Sequence, residues 1–185
     1  GILSAPGYSY KYIGGDKSKI YPYGIPISRD FFNTDKVDDI KRDLDLDDRF
    51  TVLLAGGSFG AGNIKDSLIE LINSRYVVIT GRDESLKEKL EKLMNEIKPQ
   101  KTVRILGFTK DMPQLLSIGD VLVTKPGGLT TTEAIMKAIP LVIPYYIPGQ
   151  EAENIDFLLN NGLALKTFKH YSLSTIIEIL IDNPD

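Results

Sequence analysis

The sequence predicts an α/β fold: a doubly wound, Rossmann-like parallel sheet with helices on both faces. Short β-branched runs alternate along the chain with longer helical patterns, which is typical of βαβ units. The runs at 51–55 and 121–124 are apolar nearly throughout, as expected for strands that are covered on both faces. Apolar residues make up 42% and charged residues 25% of the 185 residues, a composition close to that of one soluble globular domain.

Six strands and six helices follow from these patterns. The predicted strands are 50–55, 76–80, 103–106, 121–124, 141–144 and 163–166. The predicted helices are 63–73, 84–97, 112–117, 131–137, 152–160 and 173–182. In the doubly wound strand order 3-2-1-4-5-6, the first and fourth strands are neighbours at the switch point where ligands bind.

The first 48 residues do not follow this alternation. Residues 1–23 contain five tyrosines among glycines and prolines, and they show no helical periodicity. Residues 21–27 are expected to be extended, because a residue before proline avoids the helical region, and 35–43 predict a short helix. We therefore expect an extended segment and interdomain linker over 1–48, an α/β domain over 49–185, and further sequence upstream.

Composition excludes several classes of protein. The 22 basic and 25 acidic residues give a net charge of −3, which argues against a protein that neutralises nucleic-acid phosphates. The absence of cysteine excludes disulfides, thiolate zinc sites and a cysteine nucleophile. With one histidine, His170, an HExxH metal site is excluded as well. No apolar run approaches the length of about 18 residues that spans a bilayer.

A glycine-rich loop, 56–62, follows the first predicted strand. Its glycines let backbone N–H groups approach an anion at the start of a helix, and Ser58 adds a hydroxyl donor. A simple tight turn that needs positive φ is the other interpretation. The loop lacks the Lys-Ser/Thr ending of a nucleoside triphosphatase. Asp83, after the second strand, resembles the ribose-binding acid of a dinucleotide site, so a nicotinamide-dependent oxidoreductase stays open.

A second loop of this type, 125–133, follows the fourth predicted strand. Gly128 and Thr130 precede a helix at the same edge of the sheet, and two converging helix N-termini suit a diphosphate. Glu133 stands three residues after Thr130, which is also the spacing of an ordinary capping box. Either ribose binding or helix capping explains this glutamate.

Two further loops lie at the same predicted edge. Gln150, Glu151 and Asn154 offer donors and acceptors for sugar hydroxyls, although acidic residues also suit the first turn of a helix. Phe108 and Met112, after the third strand, are able to flank a flat base, although Phe108, taken alone, is more typical of a core residue.

Four motifs together carry a resemblance to a known family. They are Gly-Gly-Ser-Phe-Gly-Ala-Gly (56–62), Gly-Phe-Thr-Lys-Asp-Met (107–112), Lys-Pro-Gly-Gly-Leu-Thr-Thr-Thr-Glu (125–133) and Pro-Gly-Gln-Glu-Ala-Glu-Asn (148–154). Their order and spacing resemble the donor-binding domain of family 28 glycosyltransferases, which is one half of the GT-B fold. The resemblance covers roughly residues 21–180. It is greatest to monogalactosyldiacylglycerol synthases and processive diacylglycerol glucosyltransferases, and more distant to the enzyme that adds N-acetylglucosamine to lipid I.

The resemblance implies a UDP-hexose donor and a role for each motif. Phe108, Thr109 and Met112 would hold the uracil, and Glu133 would accept hydrogen bonds from the ribose. Gln150 and Glu151 would bind the hexose, with Asn154 beside them. The residues implied at the diphosphate are Gly57, Ser58, Phe59, Gly60, Gly128, Leu129 and Thr130.

The resemblance also implies an inverting transfer that needs no metal and no cofactor. The general base and most of the lipid-acceptor and membrane surface belong to an N-terminal domain in this family. This chain is thus expected to be a C-terminal fragment with no catalytic residue of its own, and His170 has no assigned role. The resemblance further implies a diacylglycerol-type acceptor and contact with a membrane surface. It also implies a cytoplasmic location and no nucleic-acid partner.

Two other functions stay open beside the oxidoreductase. One is a non-catalytic nucleotide-sugar-binding subunit of a two-chain glycosyltransferase. The other is a relative that uses UDP-N-acetylglucosamine, either a lipid I transferase or an epimerase. The sequence does not distinguish a glucose from a galactose donor, because these sugars differ only in the direction of one hydroxyl.

Overall fold

A computed structural model describes most of the second half of the chain and parts of the first. The described residues are 2–3, 18, 20–21, 23–32, 36–46, 50–55, 71, 76–80, 84–97, 103–149 and 151–183.

Eight strands and six α-helices lie in the described ranges. The strands are β1 (Ile2–Leu3), β2 (Ile20–Tyr21), β3 (Thr51–Ala55), β4 (Tyr76–Thr80), β5 (Val103–Gly107), β6 (Val121–Thr124), β7 (Leu141–Ile143) and β8 (Leu165–Lys166). The helices are α1 (Val37–Asp43), α2 (Glu84–Ile97), α3 (Met112–Ile118), α4 (Gly128–Met136), α5 (Ala152–Asn160) and α6 (Leu173–Asp182), preceded by a 3₁₀ turn at Arg29–Phe32.

Strands β3 to β8 form one parallel sheet in the order β5-β4-β3-β6-β7-β8. This is the doubly wound order, and it confirms the predicted fold class. Strand β3 lies at the centre, with Leu53 opposite Val78 of β4 and opposite Leu122 of β6. The switch point therefore lies between β3 and β6, where the connections on the two sides leave in opposite directions.

The predicted element bounds agree closely with the structure, with two informative differences. Helix α4 begins at Gly128, three residues before the predicted start. Strand β8 contains two residues instead of four, and Leu163 packs against the core before the strand begins. The predicted helix 63–73 falls outside the described residues except for Leu71.

Two apolar clusters cover the two faces of the sheet. Successive strand residues point to opposite faces, so Val52 and Leu54 join one cluster while Leu53 joins the other. The first cluster contains residues of α2 and α6, and the second contains residues of α3, α4 and α5. This two-sided burial explains why the central strands are apolar nearly throughout.

The described part of the first 46 residues lies partly on the second cluster. Phe31 is buried there, and Val37 and Ile40 of α1 pack against it. The side chain of Arg104 in β5 donates a hydrogen bond from Nε to the carbonyl of Leu44 (2.8 Å). Strands β1 and β2 pair with each other in parallel and form a separate two-stranded sheet.

Across the described ranges, every helix is too short or too polar to cross a bilayer.

Candidate functional site

The carboxyl ends of β3, β5, β6 and β7 lie at one edge of the sheet, where the four motif loops begin. Ala55 at the end of β3 lies opposite Thr124 at the end of β6, and the Thr124 hydroxyl donates a hydrogen bond to the Ala55 carbonyl (3.0 Å). The first and fourth predicted strands, β3 and β6, are therefore neighbours, as predicted. Several predicted residues lie outside the described ranges: Gly57, Ser58, Phe59, Gly60, Asp83 and Gln150.

Helix α4 begins at this edge, with N–H groups that bond to no acceptor within the described ranges. Its N-cap residue is Gly127, and no side chain in the described part of the chain caps it. The first intrahelical bond runs from the Thr131 N–H to the Gly127 carbonyl (3.0 Å). The N–H groups of Gly128, Leu129 and Thr130 precede that bond, and such groups at a helix N-terminus favour an anion.

Close packing against α4 explains one of its two glycines. A Cβ at position 128 would lie 2.9 Å from Cδ1 of Ile25, whereas a Cβ at Gly127 would meet no atom within 4 Å. The segment around Ile25 therefore passes directly over the start of α4. Between this segment, α4 and α5 lies an apolar groove of about 300 Å³, and Gly128 and Asn154 form part of its lining.

Glu133 lies in the second turn of α4 and is half-buried. Burial raises the pKa of its carboxyl above the ordinary value. Within the described ranges, no group forms a hydrogen bond or ion pair with this carboxylate. The capping interpretation is wrong, because Gly127 is the N-cap and Thr130 already lies inside the helix. Partial burial makes the ionised form of this carboxylate costly, and a donor from water or from a ligand offsets that cost.

An ion pair joins the loops that follow β6 and β7. Nζ of Lys125 donates to Oε1 of Glu151 (2.8 Å), and the two side chains are 15% and 4% exposed. Oε2 of Glu151 accepts a hydrogen bond from the Ile147 N–H (2.9 Å). Both carboxylate oxygens are therefore bound to protein groups. Because the side chain is only 4% exposed, a hexose hydroxyl would reach them only after a rearrangement.

A second bond connects the same two loops. Nδ2 of Asn154 donates to the carbonyl of Pro126 (2.9 Å). Nearby, burial and the negative charge of Glu151 raise the pKa of the Tyr145 hydroxyl. Asn154 and Glu151 thus fix the position of the loop before α5, a role that sequence reasoning missed. The sequence did contain a signal for this contact, namely Lys125, which directly follows β6. Because β6 lies next to β7, this lysine is close to the loop that contains Glu151.

The end of β5 presents an aromatic ring to solvent. Gly107 adopts φ +69°, a conformation that favours glycine, and Phe108 after it is 53% exposed. The interpretation of Phe108 as a core residue is therefore wrong. The Thr109 hydroxyl accepts from the Asp111 N–H (3.0 Å) and stabilises the turn into α3. Met112, the first residue of α3, packs against the second cluster.

The described residues contain no group of three or more histidine, aspartate or glutamate side chains placed to hold a metal ion.

Comparison with known proteins gives the family of the chain. The sequence profile described as "Glycosyl transferases group 1" matches residues 62–185. This range includes all of the six-stranded sheet except β3 and three of the four loops; of the glycine-rich loop 56–62 it includes only Gly62.

Several characterised sequences are similar over most of the chain. A processive diacylglycerol beta-glucosyltransferase of Bacillus licheniformis is 32% identical over 177 residues, which is 92% of this chain and 45% of that protein. The protein with the same name in Staphylococcus aureus strain JH9 is 33% identical over 81% of this chain and 39% of its own length. A probable chloroplastic monogalactosyldiacylglycerol synthase 2 of Oryza sativa subsp. indica is 32% identical over 80% of this chain and 34% of that protein. The chain therefore spans less than half the length of these relatives.

Solved structures share the fold at lower identity. HepE of Anabaena, in a crystal structure with UDP-glucose, matches 98% of this chain and 54% of its own with a TM-score of 0.67 at 16% identity. MurG of Acinetobacter baumannii matches 87% of this chain and 50% of its own with a TM-score of 0.61 at 20% identity. Each match covers about half of the solved chain, as expected for one half of a GT-B structure. The chain therefore belongs to the group 1 glycosyl transferases, as a GT-B glycosyltransferase domain related to the diacylglycerol glycosyltransferases.

Proposed function

We propose that the chain is the donor-binding part of an inverting glycosyltransferase that transfers a hexose from a UDP-sugar to diacylglycerol. The observation that carries this proposal lies at the switch point of the sheet. There, the N-terminus of α4 and the carboxylate of Glu133 have no side-chain partner within the described residues. Free amides suit a diphosphate, and an unpaired carboxylate suits the hydroxyls of a ribose. The hexose and the diacylglycerol acceptor are proposed from the names of the relatives.

Each loop of the edge holds one part of the donor in this proposal. The diphosphate lies between the N–H groups of 128–130 and residues 57–60. Glu133 accepts from the ribose, and Phe108, Thr109 and Met112 hold the uracil. The loop that ends in Gln150 and Glu151, with Asn154 after it, lies at the hexose. Residues 1–48 act as the segment that leads into this donor domain, 49–185.

The chemistry follows from this arrangement. The acceptor hydroxyl attacks the anomeric carbon from the face opposite UDP, the bond from that carbon to the β-phosphate oxygen breaks, and UDP leaves with the electron pair. The dipole and the free N–H groups of α4 stabilise the negative charge that develops on the departing diphosphate. A base outside this chain takes the proton of the hydroxyl. We assign that base and the lipid surface to the part of the relatives that this chain does not span.

Titration calorimetry tests the proposal. The chain is expected to bind UDP, UDP-glucose and UDP-galactose, and to bind ADP-glucose much more weakly, because the uracil-binding loop selects the base. The same chain, mixed with diacylglycerol vesicles and radiolabelled donor, is expected to transfer no sugar. Absence of UDP binding would contradict the proposed donor, and robust transfer would contradict the assignment of the base to another domain.

A further inference from the structure

The ion pair between Lys125 and Glu151 is buried at a point where the two loops meet. A buried charged pair is costly to form, and loss of one partner leaves an uncompensated charge. Glu151 uses both carboxylate oxygens, one for the Lys125 ammonium and one for the Ile147 N–H. The pair therefore holds Glu151 against Ile147 and ties it to the end of β6.

We propose that Lys125 is a positioning residue for the hexose: through Glu151 it holds the loop after β7 in the place where that loop contacts the sugar. This inference rests on the proposed function. Lys125 and Glu151 act on the hexose through the position of the loop and contact neither the sugar nor the diphosphate. UDP without a sugar ends at the β-phosphate, one strand away from this loop, and is therefore insensitive to the pair.

Direct contact between Lys125 and the diphosphate is the competing explanation, because Lys125 lies two residues before the N-cap of α4. The two explanations predict different effects of one variant on UDP binding. Removing the Glu151 charge would free the ammonium and strengthen UDP binding if Lys125 contacts phosphate. If the pair positions the loop, the same change leaves UDP binding unaltered and weakens UDP-hexose binding.

The experiment compares Lys125→Met, Glu151→Gln and the double variant by calorimetry with UDP and with UDP-glucose and UDP-galactose. Each variant is expected to lose affinity for the UDP-hexose by about tenfold, the size of one charge-assisted hydrogen bond. Affinity for UDP is expected to change by less than about twofold. Circular dichroism and the unfolding temperature of each variant show that it is folded.

The double variant separates positioning from stability. It removes both charges, so it is expected to regain much of the unfolding temperature that either single variant loses. Its UDP-hexose affinity is expected to remain low, because the ammonium that anchors the loop is still missing. Recovery of UDP-hexose affinity together with the unfolding temperature would overturn the proposal.

Arg104→Met is the matched control, since it breaks a cation–carboxylate contact with Asp45 (3.3 Å) away from the edge and is expected to alter neither affinity. Equal losses for UDP and UDP-hexose in Lys125→Met, or tighter UDP binding in Glu151→Gln, would overturn the proposal in favour of phosphate contact. Failure of the unsubstituted chain to bind UDP-hexose would instead refute the proposed function, so the two failures are distinguishable.

Discussion

Glu133 shows at the scale of one residue how a binding role opposes stability. Burial raises the pKa of its carboxyl, so the folded chain binds this proton more tightly than the unfolded chain does. The resulting contribution to stability is present below the unfolded pKa and is lost as the pH rises through the folded pKa. At neutral pH the ionised side chain therefore lowers the free energy of unfolding.

The variant Glu133→Gln is expected to separate the two effects. UDP affinity should fall by about 1.5–3 kcal/mol, because hydrogen bonds from the ribose to a charged acceptor are lost. The unfolding temperature at neutral pH should stay constant or rise, because a neutral amide avoids the cost of a half-buried charge. Calorimetric titration and a thermal melt on the same variant measure both. Unchanged UDP affinity would place the ribose elsewhere.

Phe108 is the residue with which we test the position of the base. Stacking of a base on an aromatic side chain contributes about 1–3 kcal/mol, so Phe108→Ala should weaken UDP binding by about that amount. Phe32→Ala is the matched control, because Phe32 is 67% exposed and lies in the 3₁₀ turn before α1. Competition of UDP against a fluorescent nucleotide analogue measures both variants. Equal affinity of Phe108→Ala and the unsubstituted chain would exclude stacking.

The residue types and their order along the chain predicted which strand end each candidate site residue follows. They did not predict which groups these side chains contact. The sequence could not show that Glu151 bonds to Lys125 and to the Ile147 N–H, because these groups meet only after β6 and β7 pair. It also could not choose between core and solvent for Phe108. That choice depends on the left-handed conformation of Gly107, which turns the chain at the end of β5.

At the scale of elements, α4 began earlier than predicted for a physical reason. Gly127 and Gly128 are poor helix formers, so periodicity alone placed the start after them, and the Thr130–Glu133 spacing then resembled a capping box. The structure places Gly127 at the N-cap and Gly128 inside the helix, where Ile25 leaves little room for a Cβ. A glycine is therefore required by packing at a position where helix propensity alone disfavours it.

Helix α6 begins with a conventional cap and offers a test of element stability. The Ser172 hydroxyl accepts a hydrogen bond from the Thr175 N–H (3.2 Å), and Ser172→Ala should therefore lower the free energy of unfolding by about 1 kcal/mol. Ser117→Ala serves as the control, because its hydroxyl donates to the Pro113 carbonyl within α3 and caps no helix. Urea denaturation measures the free energy of unfolding of both variants. If Ser172→Ala is as stable as the unsubstituted chain, the cap does not stabilise α6.

At the scale of the whole molecule, the strand order was predictable because apolar runs and glycine-rich loops recur in a fixed alternation. Local pattern determines such an order when right-handed crossovers leave few alternatives. The groove between α4, α5 and the Ile25 segment was not predictable. It depends on how an irregular segment crosses two helices, and no periodic signal in the sequence records that path.

Metal dependence is a property of the whole donor site. The described part of the chain offers no cluster of three metal-ligating side chains, and amides at α4 are able to stabilise the diphosphate by themselves. UDP affinity measured with excess EDTA should therefore equal the affinity measured with magnesium or manganese. A loss of about tenfold or more in EDTA would show that a divalent ion takes part in binding.

The central position of β3 has a consequence for synthesis on the ribosome. Two hydrogen bonds join Thr51 and Asp120, which are 69 residues apart. The Thr51 N–H donates to Oδ2 of Asp120 (2.6 Å), and the Asp120 N–H donates to the Thr51 carbonyl (2.9 Å). At about 5–20 residues per second, β3 waits roughly 3–14 s for β6 to be translated. During that interval one edge of β3, with its backbone N–H and C=O groups, lacks its native partner. A chaperone that shields nascent strands should therefore increase the yield of this chain more than that of a helical bundle of equal length, because a bundle forms from neighbouring segments.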